Sequence, residues 1–170
     1  MERVRRTTIA AGCLALALAL QPTPAGRSLA LAEEAGVVVQ DVQVRLVEER
    51  PVVLLIVGNR FVPIHVDQTV AMSIHSALSG NALPRPLSHD LMRLILLELK
   101  AKVTRVVVTL KDQTFYADLT VTMGDRTWVF DSRSSDAIAL AILFKAPIVV
   151  AKPTWDSAGQ AWTEPKRDIL

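Results

Sequence analysis

Two short stretches of the chain gather residues able to handle a phosphodiester. The first is Pro84-Arg85-Pro86-Leu87-Ser88-His89-Asp90-Leu91. Its two prolines restrict the backbone around Arg85, so a guanidinium is held at the mouth of a helix. Ser88 reads as the cap of that helix. His89 and Asp90 follow in its first turn, where unpaired N–H groups and the macrodipole favour anions. Arginine's planar fork matches phosphate oxygens, while an imidazole or a carboxylate can move a proton. The plainer alternative makes Ser88 and Asp90 ordinary capping residues and pairs Arg85 with a surface acid. The second stretch, Asp131-Ser132-Arg133-Ser134-Ser135-Asp136, repeats this chemistry at the next helix start. Asp131 and Asp136 lie five positions apart across a strand-to-helix turn. Both carboxylates can then converge on a divalent cation such as Mg2+, with phosphate as a further ligand. Arg133 and Ser135 are candidate substrate contacts. Alternatively, Ser135 and Asp136 cap the helix and Arg133 ties the turn to Asp131, which needs no ligand.

Other residues offer less. Gly58 fits a turn with positive φ, and Arg60 beside it is a further candidate phosphate contact. The histidines are His65, His75 and His89; they fall on separate predicted elements without the short spacing of metal motifs. A single Cys excludes a disulfide framework and a thiolate zinc site. Aromatic residues make up only 5% of the chain, thin for the base-stacking platforms of single-strand binders.

The elements that must position these residues can be read from periodicity. Residues 37–47 alternate apolar and polar, as a half-buried strand does. Val52 to Val57 is an unbroken β-branched run, and Phe61 to Val66 follows across Gly58-Asn59, so the pair reads as a hairpin. Apolar Val70, Ala71, Ile74, Ala77 and Leu78 have helical spacing, and Gly80 ends that helix. A second helix runs from Ser88 to about Lys100. Residues 103–110, 114–123 and 126–130 read as three strands. A third helix, opened by Ser134 or Ser135, reaches about Phe144, and a short strand follows from Pro147. Hairpins interrupted by helices indicate a single compact α+β domain with an antiparallel or mixed sheet and about three helices.

The chain starts with Arg3, Arg5 and Arg6, then runs uncharged from Thr7 to Leu20. That run is shorter than the roughly 20 residues needed to span a bilayer. With Ala30-Leu31-Ala32 it reads as a signal peptide over residues 1–32, leaving no stable membrane span once cleaved. Cleavage after Ala25, retention as an anchor and a lipoprotein reading of Gly12-Cys13 are the alternatives. Residues 33–152 then form the domain, and 153–170 a polar, extended tail. The protein is expected to be exported, to the periplasm or outside the cell. Removing the leader's four basic residues and one acid from totals of 19 and 17 leaves 15 and 16, a net charge of −1. Bulk charge therefore gives no attraction for a phosphate backbone.

Gly58-Asn59-Arg60-Phe61-Val62-Pro63-Ile64, the stretch from Pro84 to Leu91, and Asp131 to Ala141 followed by Ala146-Pro147-Ile148 occur in this order. Together they resemble the bifunctional nuclease family, small α+β domains that act on RNA and DNA. The similarity covers roughly Val37 to Lys152. It implies a homo-oligomer, with which the exposed strand edges of a small domain agree, and nucleic acid as substrate. It also points to His89, Asp90, Asp131 and Asp136 as catalytic residues and to Arg60, Arg85, Arg133 and Ser135 as substrate contacts. The chain departs from the family pattern in three places. The Glu that usually opens the first helix is replaced, with Val70-Ala71 standing there, unless Asp67 substitutes. Ser134 replaces a proline, and Leu143 a basic residue. Two functions follow as expectations: an exported DNase/RNase of low sequence selectivity, or a non-catalytic exported module that keeps the fold for oligomerisation or ligand binding.

Overall fold

The computed structural model describes residues 36–81 and 84–162; the segment read as a signal peptide lies outside the described residues. Within them, no helix is long and apolar enough to cross a membrane.

Residues 37–47 do not form one strand. Strand β1 (Gly36–Val38) and strand β2 (Asp41–Val47) belong to different sheets. Between them the Val39 N–H reaches the carbonyl of Ile148 and the Gln40 N–H that of Ile56, both at 2.9 Å. The chain thus steps from one sheet to the other without an unpaired amide. Two-residue alternation continues through the step, so the pattern alone gives no sign of it.

Strand β3 (Arg50–Val57) and strand β4 (Arg60–His65) form the expected hairpin, with Gly58 at φ +57° in its turn. Helix α1 (Gln68–Ser79) begins at Asp67, whose side chain accepts the Val70 N–H, and ends at Gly80 with φ +69°. Helix α2 (Ser88–Glu98) is preceded by Leu87, not Ser88, as N-cap. Strands β5 (Ala101–Lys111), β6 (Thr114–Met123) and β7 (Arg126–Arg133) form a meander. Helix α3 (Ser134–Phe144) follows directly, with Arg133 as N-cap in place of the expected serine. The serines instead occupy the first two helical positions, where backbone N–H groups have no intrahelical acceptor.

Strand β8 (Ile148–Ala151) then inserts between β1 and β5, antiparallel to the first and parallel to the second. The five-stranded sheet has the order β1-β8-β5-β6-β7. Beyond it, as far as Trp162, the chain is not an extended appendage. Helix α4 (Lys152–Ala158), with Pro153 in its first turn, buries Trp155, and strand β9 (Gln160–Ala161) pairs with β4. The second sheet therefore reads β2-β3-β4-β9. The architecture is α+β in a single domain with four helices among the described residues, one more than expected, because α4 is too short and too polar to show a helical period.

Both sheets turn one face toward a common core. Val53, Leu55, Val62 and Ile64 enter it from the four-stranded sheet; Val106, Val108, Ala117 and Leu119 enter from the five-stranded one. Helix α3 packs on β5, β6 and β7 of the five-stranded sheet with α1 and α2 over its other side, and residues Ala137 to Ala141 are all buried. A helix apolar on every side fits only such a place.

Arg60 is tied into this framework. Its Nη2 donates to the carbonyls of Trp155 at 3.3 Å and Gly159 at 3.0 Å, and its guanidinium carbon lies 5.0 Å from the Trp155 ring centre. Replacing Trp155 with alanine removes a side chain that is 7% exposed, at an expected cost of about 3–5 kcal/mol. Urea unfolding checks this, and a loss below ~1 kcal/mol would show that α4 is the loose appendage its composition suggested.

Candidate functional site

The ends of α1, α2, β7 and α3 meet at a cleft of about 710 Å³, lined among others by Asp67, Ser73, His89, Ser132, Arg133 and Asp136. Each polar member is placed by a local rule. Asp67 is an N-cap: its Oδ1 accepts the Val70 N–H at 2.9 Å, as the start of a helix favours. His89 and Asp136 sit in the first turns of α2 and α3. Arg133 is the residue at which β7 becomes α3.

A chain of charge runs through them. The Arg133 guanidinium donates twice to Asp136, from Nε to Oδ2 at 2.7 Å and from Nη2 to Oδ1 at 2.9 Å. Its Nη1 lies 3.8 Å from Asp67 Oδ2. On the other side, His89 Nε2 is 3.2 Å from Asp136 Oδ1. With Asp136 ionised, Nε2 is the nitrogen that carries the proton, an assignment that follows from the hydrogen-bond network. His89 is 7% exposed, and its Nδ1 is buried without a hydrogen-bond partner, as is the Ser73 hydroxyl.

Burial of Asp136 opposes its ionisation, but the hydrogen bonds from Arg133 and His89 outweigh that effect and hold its carboxyl below the ordinary range. Asp118 shows the opposite balance. Burial raises its pKa, and the charge of Asp131 raises it further.

The structure brings together His89, Arg133 and Asp136 from the expected site and leaves the others apart. Asp131 is in β7, paired with Asp118 of β6. Their side chains share the outer face of the sheet, while Ser132 and Leu119 on its inner face line the cleft. Asp131 and Asp136 thus do not converge on a cation. The reason is that β7 runs on to Arg133, so strand alternation, not a turn, decides where residue 131 points. Asp90 is taken up by the Leu87 N–H, which donates to its Oδ2 at 3.0 Å. That is the plain capping role. Ser135 is buried in the first turn of α3, and Arg85 is exposed on its proline-bounded loop outside the cleft lining. One ring nitrogen of His89 faces Asp136 and the other is buried, so the imidazole holds Asp136 in place.

The donor set does not fit a resident divalent cation. Both oxygens of Asp136 are engaged by Arg133, and among the described residues no group of three or more His, Cys, Asp or Glu is arranged to hold a metal ion. Asp67 lines the cleft beside Arg133, although the sequence offered it only as a stand-in for the missing family Glu. Its signal was the N-cap position itself, one residue before α1. Val70, at the usual Glu position, is buried at 4% exposure on the core side of α1.

A family model described as "Bifunctional nuclease domain" matches residues 52–162. Two proteins of Mycobacterium tuberculosis, from strains CDC 1551 / Oshkosh and H37Rv and both described as uncharacterized, are each 36% identical over 121 residues. The match covers 69% of this chain and 72% of each of theirs.

The charge chain predicts a pH signature. A carboxyl whose pKa is lower folded than unfolded stabilises the fold above the unfolded value of about 3.9, and that contribution is lost as pH falls through the folded value. The stability difference between the wild type and Asp136→Asn should therefore be constant near neutrality and shrink below roughly pH 4. Arg133→Ala should raise the titration midpoint of the Asp136 carboxyl carbon followed by NMR. An unchanged midpoint would mean that the guanidinium contact does not form in solution.

Proposed function

This chain belongs to the bifunctional nuclease domain family, and from that premise we propose that it is an exported nuclease. It hydrolyses phosphodiester bonds of RNA or DNA with low sequence selectivity at the cleft of Asp67, Arg133 and Asp136. One observation carries the reading: a guanidinium clamped between two carboxylates from different helices at the mouth of a cleft. The Arg133 side chain is 66% exposed although Asp136 fixes it, so its outward N–H groups stand ready for phosphate oxygens. Asp136 holds that fork in place, and His89 holds Asp136.

The Asp67 side chain is 53% exposed, and its Oδ2 faces Arg133. A water attacking the bound phosphorus gives its proton to this carboxylate while the P–O bond to the leaving nucleotide breaks. The leaving oxygen is reprotonated from solvent, and Asp67 returns its proton there. Cleft polar groups of this kind address the phosphate and not base edges, which supports low sequence selectivity. Export rests on the basic cluster and the short uncharged run before residue 33.

Purified protein is expected to cleave RNA and single-stranded DNA. Arg133→Ala should lower kcat by about 10²–10³-fold, the scale of losing one preorganised donor to a developing oxyanion. Asp67→Asn should also lower kcat, and both variants should keep the wild-type circular dichroism. An inert wild type whose cleft variants lose only stability would establish the alternative, a non-catalytic exported module.

Self-association belongs to the same proposal. Helix α2 leaves Leu91, Leu94, Ile95 and Leu99 each at least 50% exposed, and a contiguous apolar surface of this kind marks an interface. The element also carries both signs of charge, Asp90 and Glu98 against Arg93 and Lys100. A two-fold contact between copies can therefore be self-complementary. Leu94→Glu should shift the sedimentation mass to that of the monomer; a wild type already monomeric at high concentration would remove this part.

A further inference from the structure

The outer face of the four-stranded sheet carries a second groove. Strand alternation sends Val53, Leu55, Val62 and Ile64 into the core, so the neighbouring positions point the other way. Arg45, Val52, Leu54, Phe61, His65 and Trp162 line a groove of about 430 Å³ there. A further hollow of about 330 Å³, around Gly58 and Asn59, shares Arg45 and Trp162 with it. The two form one strip along β2, β3 and β4.

Its chemistry is specific. Phe61 and Trp162 meet edge to face, with ring centres 5.5 Å apart at 74°. The indole is held by its backbone, whose N–H donates to the Asn59 carbonyl at 2.8 Å, yet Trp162 remains 46% exposed. Arg45 is fixed by the neutral Gln43 side chain, whose Oε1 accepts from Nε at 3.2 Å and Nη2 at 2.7 Å. It forms no ion pair with a carboxylate among the described residues, and neither hollow is lined by an acid.

We propose that this groove is a second binding site, for single-stranded nucleic acid, with a base stacked on Trp162 and the adjoining phosphate on Arg45. The ligand class rests on the nuclease reading; the site stands on its own residues. Stacking on an exposed, immobilised aromatic is sequence-tolerant, and the planar guanidinium suits phosphate. A second copy of the chain is the poorer occupant. A two-fold contact requires a self-complementary patch, whereas here Arg45 would face Arg45 with no carboxylate between. His65 at the groove's end lies two residues before Asp67, so the backbone distance between the two sites is at most ~7 Å there.

The test is fluorescence anisotropy of the full-length protein with a fluorescein-labelled, cleavage-resistant phosphorothioate oligothymidylate. Trp162→Ala should weaken binding about 5-fold or more, with Trp162→Phe restoring much of it. Arg45→Ala should weaken binding and reduce its salt slope by about 1. Thermal melting of each variant is followed in parallel, and Arg45→Ala decides the matter if Trp162→Ala does not fold. Unchanged binding in folded Trp162→Ala and Arg45→Ala overturns the site while leaving the nuclease reading intact. Binding that depends on both residues in a protein that cleaves nothing upholds the site and removes the nuclease reading. A fall in sedimentation mass in Trp162→Ala, with oligonucleotide affinity unchanged, overturns the site and gives the face to a second copy.

Discussion

Helix α3 must be buried on all sides, and much of the molecule follows from that constraint. Its central residues, Ala137 to Ala141, are at most 2% exposed, and its alanines let a sheet and two helices approach it closely. The five-stranded sheet covers it on one side through β5, β6 and β7, α1 and α2 cover it on the other, and α1 in turn packs on β2 and β3 of the second sheet. The burial also fixes where the helix begins. Ser134 and Ser135 are drawn inside, while Asp136 and Arg133 are left at the rim of the core. The polar cleft is thus the exposed end of an apolar helix.

At that end the side chains constrain one another. Arg133 alone would be a mobile surface cation, since an exposed ion pair contributes little, of order 0–1 kcal/mol. Its two bonds to Asp136 fix the guanidinium plane, and His89 from α2 fixes Asp136 in turn. Unpartnered buried polar atoms are uncommon in folded proteins, and two of them, His89 Nδ1 and Ser73 Oγ, belong to residues lining this cleft.

What could be read in the sequence follows the range of the forces involved. The β3–β4 hairpin and the limits of α1 depend on neighbours a few positions away, and Gly58, Asp67 and Gly80 mark them plainly. His89, Arg133 and Asp136 were legible because helix starts announce themselves. Arg60 was not, since its acceptors lie 95 and 99 residues further along, and a cation beside a glycine turn looks the same whether it meets phosphate or carbonyls. Asp131 was misplaced by parity alone. Once β7 extends to Arg133, it belongs to the face that carries Asp118. The tail misled for a related reason: a single buried Trp155 and one ladder to β4 anchor it, and neither produces a periodic pattern. The aromatic fraction likewise counts residues without saying that Phe61 and Trp162 meet.

The charges of the cleft bear on how a polyanion could be held there at all. Asp67 and Asp136 supply two negative charges against the single positive charge of Arg133, so a phosphodiester entering the cleft meets a local excess of negative charge. Two carboxylates suit a site that positions a guanidinium and takes up a proton. They are poorly suited to attracting a substrate, and the near-balanced charge of the whole domain does not compensate. Affinity must then come from a surface without acids, and the outer face of the four-stranded sheet, with Arg45 and an exposed indole, is such a surface. In the proposed reading β4, which borders the groove, leads within two residues to Asp67 at the start of α1, so a strand held on that face would not rely on the carboxylates for binding. Separating attraction from chemistry in this way lets the cleft keep the acids it needs.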